Sequence, residues 1–103
     1  MSYITLAGHS MRMDGDCLSL PCLGGDDTQR EPSRILVTVK AGEPISLYEN
    51  YDDPLEVRGE ETLQGWGKLD GPAVILGGSR CAWSVSVPKA VLEAVSQRFG
   101  VTV

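Results

Sequence analysis

The sequence predicts an α+β fold: a mainly antiparallel sheet of five or six strands, with one C-terminal helix packed on one face. Three observations predict it. Residues Arg34 to Lys40 alternate at period two, with Ile35, Val37 and Val39 on one side and Leu36 and Thr38 on the other. Two glycine-bearing pairs, Asp14-Gly15 and Gly77-Gly78, separate apolar runs in the manner of hairpin turns. Pro88 to Phe99 places Val91, Val95 and Phe99 on one helical stripe. A chain of 103 residues, 42% hydrophobic, is sized for one domain over residues 1–103 built around one core.

Tyr3 to Leu6 reads as a first strand. Met11 and Met13 before Asp14-Gly15, and Leu18 and Leu20 after it, predict a hairpin with a type I′ turn. Pro21 is expected to stop that ladder. Residues 24–33, rich in Gly and Asp, read as an exposed loop. Arg34 to Lys40 follows as a central strand, Ala41-Gly42-Glu43-Pro44 as a turn, and Ile45 to Tyr48 as the next strand. Leu55 and Val57 predict a short edge strand. Ala73 to Leu76 and Arg80 to Val87 predict a second hairpin turning at Gly77-Gly78, with Cys81, Trp83, Val85 and Val87 on its apolar face and Ser84 and Ser86 on a wetter one. Pro88 suits a first helical position, Gly100 a C-terminal cap, and Val101 to Val103 a short edge strand. The core is expected from Ile4, Leu6, Ile35, Val37, Val39, Ile45, Leu47, Val74, Leu76, Trp83, Val85 and the helix stripe with Leu92.

Charge is uneven. Residues 1–40 carry five acids and four bases, residues 41–67 seven acids and one base, and residues 68–103 two acids and four bases, within a net charge of −5. A concentrated negative field repels phosphate backbones and attracts basic protein surfaces, so direct nucleic-acid binding is not expected. Half of the aromatics, Tyr48, Tyr51 and Trp66, lie in or beside the acidic stretch. Tyrosine and tryptophan dominate interface hot spots. The expected partner-binding surface is therefore Glu49, Tyr51, Asp52, Asp53, Glu56, Glu60, Glu61 and Trp66.

Other chemistries fit less well. His9, Cys17, Cys22 and Cys81 are the ligand types of a zinc site, but no C-x-x-C knuckle brings them together. No nucleophile elbow, phosphate-cradling loop or H-E-x-x-H pair is present. Neither metal nor cofactor is expected, and no catalytic residue is assigned. Ser84 to Val95 resembles the strand and first helix of ribbon-helix-helix DNA-binding proteins. The serines lack the side chains that read base edges, the family's second helix has no counterpart in the sequence, and a strand followed by a packed helix explains the same residues. Three cysteines, an odd number, point to a reducing cytoplasm. The longest apolar run, Pro72 to Leu76, is far below the roughly 18 residues that span a bilayer, and the N-terminus has no basic-then-apolar leader. The expected function is a non-enzymatic acidic protein-binding module. It would be an inhibitor or immunity-type protein, of the phage anti-defence or anti-toxin class, masking a basic surface of a partner that could be a nucleic-acid-handling protein. The alternative is a small structural or assembly subunit that homodimerises through an edge strand, and the third reading is a zinc-dependent or hydrolytic enzyme.

Overall fold

Turn chemistry sets the first three strands. In the computed structural model, which describes residues 2–24, 30–80 and 82–103 but not the side chains of residues 50–52, β1 (Ser2–Leu6) and β2 (His9–Asp14) pair from Ser2↔Met13 to Leu6↔His9. Only Ala7 and Gly8 join them, both at positive φ (51° and 79°), the shape of a type I′ turn. An alanine there carries a cost of about 1 kcal/mol that glycine or asparagine avoids. The expected turn at Asp14-Gly15 is displaced by one residue: Gly15 and Asp16 are the central pair, and of the two only Gly15 (φ 61°) is positive. The reason is register. With Asp14 opposite Cys17, Met13 stands opposite Leu18, and the apolar side chains of the two strands meet.

β3 (Cys17–Gly24) does not stop at Pro21. It pairs with β4 (Glu31–Thr38) along its whole length, from Cys17↔Thr38 to Gly24↔Glu31, so both ends of the expected 24–33 loop are strand. Residues 25–29 lie outside the described residues. On its other side β3 meets β2 only at Cys17 and Leu18 and β8 only at Leu23. Pro21 sits between those two partners, an edge-like position where a missing N–H is tolerated.

β5 (Ser46–Leu47), β6 (Asn50–Leu63), β7 (Gly71–Gly78) and β8 (Val85–Pro88) continue the antiparallel order. Because β8 also pairs with β3 at Leu23↔Ser86, strands β3 to β8 close into a six-stranded barrel, and β1–β2 extend outside it. The molecule is thus mostly β with one C-terminal helix, but it has eight strands among the described residues and a closed barrel rather than an open five- or six-stranded sheet.

Two elements differ most from expectation. The short edge strand at Leu55 and Val57 is part of β6, fourteen residues long and paired on both sides. Its register shifts twice, against β5 between Ser46↔Pro54 and Leu47↔Asn50 and against β7 at a bulge at Arg58 between Val57↔Leu76 and Gly59↔Ile75. Gly77-Gly78 is not a turn but the end of β7. A Cβ at Gly77 would lie 2.5 Å from Arg58 Cζ and 2.8 Å from the Trp83 carbonyl oxygen, so the glycine makes room for the Arg58 side chain.

The large core fills the barrel with Leu18, Leu20 and Cys22 of β3, Ile35 and Val37 of β4, Leu55 of β6, Val74 and Leu76 of β7 and Val87 of β8. Helix α1 (Lys89–Phe99) adds Val91, Leu92 and Val95. Ile4, Leu6, Leu47, Trp83, Val85 and Phe99, expected inside, pack against this core half-buried. Pro88 is the N-cap rather than the first helical residue, and Gly100 (φ 67°) ends the helix, its N–H donating to the Ser96 carbonyl at 3.0 Å. The tail then crosses to the connection before β5, where Thr102 bridges Pro44 and its carbonyl accepts from the Ile45 N–H at 2.8 Å. Along β7 the alternate side chain Ala73 faces away from the large core. It joins Leu23, Leu63 and Leu69 in a second cluster.

Val95 is fully buried, so Val95→Asp is expected to destabilise by about 4 kcal/mol or more in chemical denaturation, and half-buried Phe99→Ala by about 2 kcal/mol. Ala7→Asn is expected to raise stability by about 0.5–1 kcal/mol, read as a higher denaturation midpoint, because it relieves the left-handed alanine while keeping the turn.

Candidate partner-binding surface

The acidic stretch folds into β6 and its flanks, and most of its charge is spent within the chain. Asp53 is 1% exposed and accepts hydrogen bonds from the Ser79 hydroxyl and, at 3.1 Å, from the Arg80 N–H, holding the turn after β7. It is withdrawn from the surface on which it was expected. Glu56 lies 3.6 Å from the Nε of Arg58, and Glu60 lies 3.2 Å from Lys89 Nζ at the start of α1. Arg58 in turn donates to the carbonyls of Gly78 (2.6 Å) and Trp83 (3.2 Å), tying down the β7–β8 connection.

Glu61 is the most tightly held. Arg30 Nη1 donates to its Oε1 at 2.8 Å and Nη2 to its Oε2 at 3.0 Å, a bidentate pair. Arg30 Nη2 also donates to Ser86 Oγ at 2.8 Å, and that hydroxyl donates to Glu61 Oε2 at 2.5 Å. Ser86 is therefore buried and fully bonded rather than wet as its alternation suggested. The Arg30 hydrogen bonds hold the Glu61 carboxyl below the usual glutamate range, against the opposing pull of desolvation.

Trp66 is half-buried against Leu23, Leu63, Leu69 and Ala73, and its backbone N–H donates to the Asp70 carboxylate at 2.5 Å. Of the expected surface, Glu49 stands exposed in the β5–β6 turn. The side chains of Tyr51 and Asp52 lie outside the described residues, as does Cys81. The expected residues with described side chains are thus dispersed over four settings: a buried turn anchor, a set of ion pairs, an exposed turn and, for Trp66, the edge of the second apolar cluster.

A different group converges beside Glu49. The β3–β4 register sets Leu36 opposite Ser19 and Thr38 opposite Cys17, on the side of the sheet facing away from Leu18, Leu20, Ile35 and Val37. Leu36 is 45% exposed and Tyr48 49%, and the Tyr48 N–H donates to the Leu36 carbonyl at 3.0 Å. Both side chains line a hollow of about 340 Å³ with Arg12, Asp14, Cys17 and Ser19. Tyr48 and Asp14 also line a second hollow of about 560 Å³ with Asp16, Thr38 and Lys40. Tyr48 stands between the two as an exposed aromatic ridge with carboxylates on both sides. Alternation sets Leu36 on the side of its strand opposite Ile35, Val37 and Val39, and the sequence alone assigns it no role. The available signal was a large apolar residue at an outward position, next to a turn carrying tyrosine.

The thiol of Cys17 in this hollow is pushed up by burial and by Asp14, with Arg12 opposing, so it is held protonated at neutral pH. Cys17 and Cys22 are five residues apart on one strand and so project to opposite sides of it. Cys22 is buried, 3.3 Å from the Ser33 hydroxyl. His9 lines a separate cleft of about 470 Å³ with Lys68, Asp70, Lys89 and Glu93, where burial, then Arg34 and Lys68, lower its pKa. Among the described residues no group of three or more His, Cys, Asp or Glu side chains is placed to hold a metal ion, and no helix is long and apolar enough to cross a membrane.

Because the folded pKa of Glu61 is lowered, its stabilisation is complete above the usual glutamate range and is lost as pH falls through the folded value. Glu61→Gln is expected to cost about 1 kcal/mol at pH 7, with the difference from the parent shrinking toward zero as denaturation is repeated at successively more acidic pH. Compared with known proteins, the chain matches no family model, no curated sequence and no solved structure.

Proposed function

We propose that the chain is a non-enzymatic protein-binding module of the inhibitor or immunity type, acting in a reducing cytoplasm, and that it masks a basic surface of its partner with the Leu36–Tyr48 side of the barrel. The observation that carries this reading is the exposed pair itself: two large side chains linked through the backbone, of which Tyr48 forms a ridge between two hollows and Leu36 lines one of them. A tyrosine in such a position buries much area at small entropic cost, which is how hot spots arise. The carboxylates of Asp14, Asp16 and Glu49 outnumber the neighbouring Arg12 and Lys40, and the chain as a whole carries −5. Both favour a basic partner, such as a nucleic-acid-handling protein, over an acidic one. Glu56, Glu60 and Glu61 of β6 contribute little to this attraction, since they already face cations of the same chain.

The test is parallel capture from lysate of the native host on immobilised parent, Tyr48→Ala, Asp14→Lys with Asp16→Lys, and Tyr3→Ala chains. The expected result is a basic protein held by the parent and by Tyr3→Ala and released by rising salt. It should dissociate about tenfold faster from Tyr48→Ala, a loss of roughly 1.4 kcal/mol, and associate more slowly with the double lysine variant. Equal retention on all four chains would show that the interface lies elsewhere.

A further inference from the structure

Closing β3 to β8 into a barrel leaves β1 as the one strand, among the described residues, with a single neighbour. A free edge presents unpaired N–H and C=O groups, and proteins ordinarily guard it with charge, proline or a bulge. β1, Ser-Tyr-Ile-Thr-Leu, has none of these, in a chain whose net charge is −5. We infer that β1 pairs antiparallel with β1 of a second copy, forming a homodimer with its twofold axis at Ile4.

The register of the hairpin supports this partner. In a two-residue hairpin the closing pair, Leu6 and His9, exchanges both hydrogen bonds, and the alternation assigns Ile4 and Ser2 to the same set. Tyr3 and Thr5 then direct their N–H and C=O groups away from β2. These two residues flank Ile4 symmetrically, so a twofold at Ile4 sets Tyr3 of each copy against Thr5 of the other and satisfies all four outward groups of each strand. Ile4 meets its own counterpart in a close non-hydrogen-bonded pair. Ile4 and Leu6 are half-buried against the large core, so the pairing extends each core with identical side chains. No like charges are brought together within the strand, which is what an acidic protein needs in order to approach its own copy.

The interface is small, below about 1,200 Å², and of the weak class. Sedimentation should therefore be followed from about 1 to 500 μM. The parent is expected to shift from 11.1 kDa toward twice that mass, with the amides of Tyr3 and Thr5 gaining protection from hydrogen exchange as concentration rises. Thr5→Pro, which removes an outward N–H at an edge position that accepts proline, and Tyr3→Lys combined with Thr5→Lys, which opposes lysines across the axis, should both stay at the lower mass while keeping the parent's circular dichroism. A parent that remains at 11.1 kDa throughout overturns the proposal. So does a dimer that survives either variant, or protection at Tyr3 and Thr5 that needs an added foreign peptide instead of higher protein concentration.

Discussion

The constraint on which the structure depends is that one strand, β3, must serve three neighbours. Its eight residues pair with β4 throughout, with β2 at one end and with β8 at the other. Closure rests on a single registered pair, Leu23↔Ser86. What reinforces so thin a seam lies on the same side of the sheet, where Ser86, Glu61 and Arg30 bond one another and Leu23 joins Leu63, Leu69 and Ala73. A polar network of this kind stabilises only when every member is satisfied. Here the guanidinium reaches both carboxylate oxygens and the hydroxyl, and the hydroxyl passes its proton toward the same carboxylate. Charge–charge and apolar contributions thus act at the point where the backbone ladder is shortest.

What could be read from the sequence follows from where periodicity was left undisturbed. Ile35, Val37 and Val39 are buried and Leu36 exposed, as their alternation requires, because β4 runs without a bulge next to a filled barrel. The helix stripe was equally legible, being bounded by Pro88 and Gly100. β6 was not. Pro54 and Gly59, together with six charged side chains, give it the composition of a loop, yet the backbone pairs on both sides. Its outward positions are charged because they reach Arg30, Arg58 and Lys89, partners up to 31 residues away in the chain. Gly77 misled for a related reason: a glycine can mark a turn or a close approach, and only the position of Arg58 distinguishes the two.

The same long-range pairing explains why a count of charges along the chain overstates the field around it. The stretch from residue 41 to 67 carries seven acids and one base. Folding then brings Arg30 and Lys89 to Glu61 and Glu60, sets Arg58 beside Glu56 and draws Asp53 into the interior. Glu61 ties β6 to Arg30 ahead of β4 and Glu60 ties it to α1, whereas the carboxylates around Tyr48 belong to turns. Asp14 and Asp16 belong to the β2–β3 turn, and because β5 turns back after only two residues, Tyr48, beside Glu49 in the β5–β6 turn, lines the same hollow as those two carboxylates. An acidic surface beside an aromatic side chain is therefore present, at Tyr48 instead of Trp66. Trp66 is drawn in to cover the second cluster behind the barrel's seam, so the demands of closure leave Tyr48, and not Trp66, exposed beside those carboxylates.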